Sequence, residues 1–124
     1  MDERRPSARD PEDLAQLFNQ RANAGDIEGL IALYEPEATL AVGDVVAVGH
    51  TQIREFLTNL LARRKEFPMP DLLPAIRTGP LALTLARSSD GNLSVEVARL
   101  QGDGAWLWLI DQLRVPRPAP RAPS

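Results

Sequence analysis

The chain of 124 residues contains no cysteine. That removes disulfides, thiolate nucleophiles and cysteine-ligated metals at once. It has a single histidine, His50, so a histidine-rich metal site is excluded, and any serine–histidine triad would have to pass through that one residue. No serine stands in a nucleophile-elbow context, and the glycine-rich nucleotide loops and the HExxH metal motif are missing. No carboxylate spacing of the calcium-loop kind occurs, so neither a metal nor any other cofactor is expected. There is no surplus of positive charge either. Fourteen Lys and Arg face 17 Asp and Glu, a net charge of −3, which leaves no basic face for nucleic acid. No segment approaches the roughly 18 consecutive apolar residues of a membrane span. The opening MDERRPSARD lacks an apolar signal-peptide core, so a cytoplasmic protein is expected. No internal repeat is present.

What is there is ordinary for a globular protein: 44% apolar and 25% charged residues. The length suits one domain that buries its own core. Residues 1–9 are charged and expected to be mobile. Asp10-Pro11-Glu12-Asp13 then supplies a cap residue, a first-turn proline and acids at the positive end of a helix dipole. Leu14, Leu17, Phe18 and Ala22 give that helix an apolar stripe. Gly25 can end it and Asp26 can cap the next, in which Ile27, Leu30, Ile31 and Tyr34 recur at helical spacing. Pro36 keeps Glu35 out of the α region and closes that helix. Thr39 to Val42 and Val45 to Val48 flank Gly43-Asp44, a hairpin link. Thr51 is a plausible cap for a third helix carrying Ile53, Phe56, Leu57, Leu60 and Leu61 on one stripe. Its basic end, Arg63-Arg64-Lys65, suits the helix dipole and reads first as a solvated helix end, although such a cluster can also bind an anion. His50 reads as a polar residue leading into this helix rather than as a base.

The second half reads as four strands. Leu72 to Thr78 is weakened by Pro74 and should be an edge strand or carry a bulge. Strands from Leu81, from Leu93 and from Trp106 to about Leu113 follow, separated by Ser89-Asp90-Gly91-Asn92 and Gly102-Asp103-Gly104. Beyond residue 115 the proline-rich segment 116–124 is expected to be a flexible tail.

Three segments carry a resemblance: Ala24-Gly25-Asp26, Ala32-Leu33-Tyr34-Glu35-Pro36-Glu37-Ala38-Thr39, and Gly49-His50-Thr51-Gln52-Ile53-Arg54-Glu55-Phe56. In order and spacing they resemble the first half of the nuclear transport factor two-like superfamily, which includes ketosteroid isomerases and SnoaL-like polyketide cyclases. With the strands that follow, the resemblance covers residues 11–115. It implies an α+β fold, cone-shaped, with three N-terminal helices packed on a strongly curved, mainly antiparallel sheet. It further implies a single domain over residues 10–115 and a largely apolar pocket between helices and sheet. Fold alone does not name an activity.

Alternation in the last hairpin then becomes informative. If the loop spans residues 102–105, Glu96 pairs with Asp111, Ala98 with Leu109 and Leu100 with Leu107. Directly paired residues share a face. A loop one residue shorter would set Glu96 against Ile110 instead. The longer loop puts Glu96, Ala98, Leu100, Leu107, Leu109 and Asp111 on one face. The other carries Val95, Val97, Arg99, Trp106, Trp108 and Ile110. Superposing the family pattern favours this register, since it brings Glu96 onto the position where ketosteroid isomerases hold a protonated aspartic acid. The expected site is therefore a Glu96/Asp111 pair as catalytic residues, in a cavity also lined by Phe18, Tyr34, Val42, Leu83, Ala98, Leu107 and Leu109. Two carboxylates about 5 Å apart in an apolar cavity cannot both ionise cheaply. They should titrate together, one proton held above the usual carboxyl range, giving a donor beside a base.

The departures from the pattern matter as much. The isomerases' tyrosine on the first helix falls at Phe18 and their catalytic aspartate at Val42, so ketosteroid isomerisation of the usual kind is not expected. The Asp-Arg-Asp set of the epoxide-hydrolase branch does not assemble either, because this register turns Arg99 to the opposite face. Two readings stay open: an acid–base isomerase, cyclase or dehydratase-like enzyme acting on an apolar small molecule, or a non-catalytic ligand-binding or dimerisation module of the same fold. The face carrying Val95, Val97, Arg99, Trp106, Trp108 and Ile110 is too apolar for water, and a homodimer, sheet against sheet, is expected to cover it.

Overall fold

Short-range signals set the first third of the chain. The computed structural model describes residues 5–116. Helix α1, Asp13–Asn23, runs into Gly25, whose φ of 70° is the left-handed turn expected there. The Asp26 side chain accepts the Gly29 N–H at 3.0 Å and caps α2, Ile27–Ile31. That helix is shorter than its spacing predicts. Tyr34 does not extend it but opens strand β1, Tyr34–Val42. The cause is Pro36, which holds Glu35 extended, together with a carboxylate clamp in which Glu35 accepts from Arg99 and Gln101, each at 2.8 Å.

A tight turn at Gly43-Asp44 joins β1 to β2, Val45–Val48, and the chain passes directly into α3, Gly49–Arg63. This helix starts two residues before Thr51, and the Gln52 side chain rather than a threonine accepts the Val48 N–H. Pro74 splits the next strand as its missing N–H requires. The halves are β3, Asp71–Leu72, and β4, Ile76–Thr78, both paired with β5, Leu81–Arg87. Strands β6, Leu93–Leu100, and β7, Trp106–Arg114, complete a seven-stranded sheet in the order β2-β1-β7-β6-β5-β3, with β4 beside β5. All pairings are antiparallel except β1 with β7, where the N-terminal half of the chain joins the C-terminal half.

The three helices cover the inner face of the curved sheet, and Leu14, Leu30, Leu40, Ile53 and Leu57 are completely buried between the layers. Residues 5–9, expected to be free of the domain, lie against it instead. Ala8 is buried, its carbonyl accepts the Trp106 N–H at 2.9 Å, and Arg5 pairs with Asp26. Of the tail expected over 116–124, residues 117–124 lie outside the described residues, as do residues 1–4.

Candidate functional site

Register decides what faces the cone. On β6 and β7, Glu96 lies opposite Asp111 and Val97 opposite Ile110, and then the ladder shifts by one residue, so that Ala98 meets Trp108, Arg99 meets Leu107 and Leu100 meets Trp106. Leu109 is the extra residue of a β-bulge. The bulge reverses the alternation of everything before it on β7. Trp108 and Trp106 therefore point inward with Asp111, while Leu107 and Leu109 turn to the outer face. Both indoles are buried within the one chain, at 4% and 3% exposure. The expectation of two tryptophans on a dimer face is corrected accordingly, as is that of Leu107 and Leu109 in the cavity.

The neighbouring strand follows the same logic. Thr84 is paired with Glu96 and Leu83 with Val97. The inward set on β5 is thus Ala82, Thr84 and Ala86, and Leu83 is an outer-face residue rather than a cavity residue. Small side chains on this inner face leave room, and a cavity of about 190 Å³ opens there. Its walls include Phe18 and Asn19 from α1, Ala86 from β5, Ser94 and Glu96 from β6, Trp108, Asp111 and Leu113 from β7, and Arg64, Phe67 and Pro68 from the segment after α3. Of the other expected cavity residues, Val42 is half-buried at the far end of β1, Ala98 is fully buried opposite Trp108, and Tyr34 is fully buried behind the cavity wall; none of the three is among these walls.

The polar centre is small and enclosed. Asp111 is 1% exposed. Its Oδ2 accepts the Tyr34 hydroxyl at 2.5 Å, and its Oδ1 has no hydrogen-bond partner. The Trp108 indole Nε1 is likewise buried without a partner. Glu96, also buried, accepts the Thr84 hydroxyl at 2.6 Å. Aromatic rings frame the group, with the Trp108 ring centroid 5.9 Å from that of Phe18 and 5.2 Å from that of Tyr34. Burial pushes the Asp111 carboxyl well above the ordinary range, and the neighbouring Glu96 charge adds to this against the opposing Tyr34 hydrogen bond. Burial raises Glu96 too, while bonds from Thr84 and Ser94 pull it back. Tyr34 is pushed well above its usual value by burial and by the adjacent carboxylate, so its hydroxyl is a fixed donor.

Two other polar clusters lie outside this centre. His50 sits in the first turn of α3 with Nε2 2.8 Å from the Tyr34 carbonyl, a backbone tie rather than a cavity group. Arg99 is bound to Glu35 on the outer side, away from Glu96 and Asp111. No group of three or more potential metal-binding side chains occurs among the described residues.

No family model matches the sequence, and no curated protein does. Solved structures do. A putative calcium/calmodulin-dependent protein kinase type II association domain from Thiobacillus denitrificans superposes with a TM-score of 0.74 at 12% identity, covering 87% of this chain and 96% of that one. A protein of unknown function with a cystatin-like fold from Nostoc punctiforme gives 0.67 at 17% identity, over 82% and 84%. An NTF2-like protein of unknown function from Pseudomonas putida gives 0.62 at 18% identity, over 85% and 83%. The fold is NTF2-like.

Within that NTF2-like frame, the structure brings together Glu96, Asp111, Tyr34 and Phe18 of the residues singled out from sequence. It adds three that sequence reasoning left out. Trp108 was assigned to the opposite face because a bulge leaves no mark in an alternating pattern. Thr84 was legible in principle, as the residue opposite Glu96 in the preceding hairpin. Arg64 was read as part of a basic helix end able to bind an anion, without a place at the cavity.

Proposed function

We propose that the chain is a small-molecule pocket protein performing cofactor-independent acid–base chemistry on a mainly apolar ligand. One observation carries this reading: two buried carboxylates stand at paired positions on adjacent strands in the wall of one cavity. Such a pair divides into an acid and a base when its environments differ. Asp111, the more deeply buried, keeps its proton and presents it with the Trp108 N–H to a carbonyl oxygen. Glu96, better supplied with hydrogen bonds, takes the proton from the carbon beside that carbonyl. Negative charge builds on the carbonyl oxygen, and return of the proton to another carbon completes an isomerisation. Tyr34 positions Asp111.

The test is exchange at carbon. In deuterated buffer, 2-tetralone should exchange its α-protons faster with protein than without, and Glu96→Gln should remove about a hundredfold or more of that acceleration. Wild-type protein that binds the ketone without accelerating exchange would end the enzymatic reading. It would leave the second one, a non-catalytic ligand-binding module. Phe18 and Val42 favour that second reading, since neither can donate or accept a proton.

We also propose that the outer sheet face pairs with a second copy of the chain. Its residues are not those of the sequence-based expectation in full: Val95, Val97 and Ile110 stay, Arg99 lies among them, Leu81, Leu83, Leu85, Leu107 and Leu109 join them, and both tryptophans leave.

A further inference from the structure

The mouth of the cavity carries a charge that the chemistry above does not use. Arg64 follows directly on α3, its N–H bonded to the Leu60 carbonyl at 3.1 Å. Its guanidinium stacks on the Phe67 ring, 5.0 Å from the centroid, and its Nε donates to the Glu66 carbonyl at 3.0 Å. Both Arg64 and Phe67 are walls of the cavity. The side chain is therefore aimed rather than free to wander, yet none of the ion pairs among the described residues includes it. A fork of donors without a carboxylate is the usual complement of one. At the enclosed end, Asp111 Oδ1 and Trp108 Nε1 are buried and unpartnered, and both belong to the same cavity. Buried polar atoms are ordinarily satisfied, so two orphaned polar atoms on wall residues of one cavity point to that end as the place for a ligand's polar atoms. The other walls mix apolar side chains such as Phe18, Ala86 and Leu113 with the polar Asn19, Asn92 and Ser94.

We propose that the cavity takes a small, flat amphiphilic acid: a hydroxyl or carbonyl at one end meets Asp111 and Trp108, and a carboxylate at the other meets Arg64. This rests on the pocket reading given above and narrows it to a ligand class. The carboxylate contact sets orientation, so the reacting end of the ligand is the one delivered to Glu96 and Asp111.

Three fluorescent probes separate the parts: 6-hydroxy-2-naphthoate, 2-naphthol without the carboxylate, and 2-naphthoate without the hydroxyl. Binding is read by titration, with quenching of Trp108 emission in a Trp106→Phe background as the sign that the cavity is occupied. The hydroxy acid should bind about fivefold more tightly than 2-naphthol at low ionic strength, the scale of one partly solvated charge pair. That advantage should vanish in Arg64→Gln and shrink with added salt, while 2-naphthol binding stays unchanged. Arg63→Gln should keep it. Equal binding of hydroxy acid and naphthol to wild-type protein would overturn the role of Arg64 and leave the pocket reading standing. An advantage that survives Arg64→Gln would overturn it too. Failure of all three probes to quench Trp108 would overturn the pocket reading and this one together. Equal affinity for 2-naphthoate and the hydroxy acid would remove the Asp111 and Trp108 end of the proposal.

Discussion

Asp111 is the residue on which the interior turns, because it is fully buried, half satisfied and next to another acid. The pH dependence of stability follows from its direction of shift. A carboxyl raised in the folded state binds its proton more tightly there than in the unfolded chain. Stability is then greatest at or below the ordinary carboxyl range, near ~4, and falls as pH rises toward the raised value, by up to about 1.4 kcal/mol per pH unit for one fully displaced proton. Glu96 shifts the same way and adds to the slope. Chemical denaturation across pH should show wild-type stability declining above the ordinary range, and Asp111→Asn should flatten the decline. A slope of the opposite sign would mean that the pair is stabilised as carboxylates. Tyr34→Phe makes a second case. It removes the 2.5 Å bond to Oδ2 and leaves the carboxyl without any partner. The loss should be about 1–3 kcal/mol, the usual penalty for orphaning a buried polar group. Since the Tyr34 bond lowers the Asp111 pKa, its removal should also raise that value further, which carbon-detected titration of the carboxyl reads directly.

At the scale of elements, β7 shows how far sequence reading reaches. Helix α1, the Gly43-Asp44 hairpin, the third helix and the broken strand at Pro74 were legible, because each carries a local signal: an acid in the first turn of α1, where the expected Asp10 cap does not form, a left-handed glycine, an apolar stripe, a missing N–H. The Glu96–Asp111 pairing was reached through two differences that cancel: the expected 102–105 loop is one residue shorter, with Gln101 bonded to Ala105 and Leu100 opposite Trp106 rather than Leu107, and the bulge at Leu109 then restores the pair. The faces of Trp106, Leu107, Trp108 and Leu109 were not legible. They depend on one unpaired residue, Leu109, and a bulge is selected by packing rather than by its own composition. Tyr34 was misread for a related reason: its spacing from Ile31 suits a helix, but Pro36 and the Glu35 clamp draw it into β1. The bulge makes a prediction that a regular strand would not. Deleting Leu109 leaves Trp108 beside Ile110, which restores plain alternation with Trp108 still inward. Deleting Leu107 instead turns Trp106 out into water. The first variant should stay folded with native tryptophan emission and lose no more than about 2 kcal/mol, the worth of one partly buried leucine. The second should melt much lower with red-shifted emission. Equal damage from both would contradict the register.

At the scale of the molecule, the outer face remains to be covered. Leu83, Val97 and Ile110 lie side by side across β5, β6 and β7, and Leu81, Arg99 and Leu107 form the next row. Helices occupy only the inner side, so these side chains are half-buried or exposed, with Ile110 48% exposed. Moving the tryptophans inward took the largest side chains off this surface, yet it remains a row of aliphatic residues interrupted by one arginine. That arginine is already neutralised by Glu35, which holds the rim polar without placing a free charge in the middle. A two-fold partner would set Ile110 and Val97 against the same face of its copy, and a stable interface of this kind buries about 800 Å² on each chain. Sedimentation at tens of micromolar should then show a dimer for wild-type protein. Ile110→Glu should give a monomer whose melting temperature falls with the lost association, because the charge has no partner at the centre of an apolar contact. Arg63→Glu, at the exposed end of α3, should leave the dimer intact. Wild-type protein sedimenting as a monomer would mean that this face is tolerated in water, and Ile110→Glu would then change neither mass nor stability appreciably.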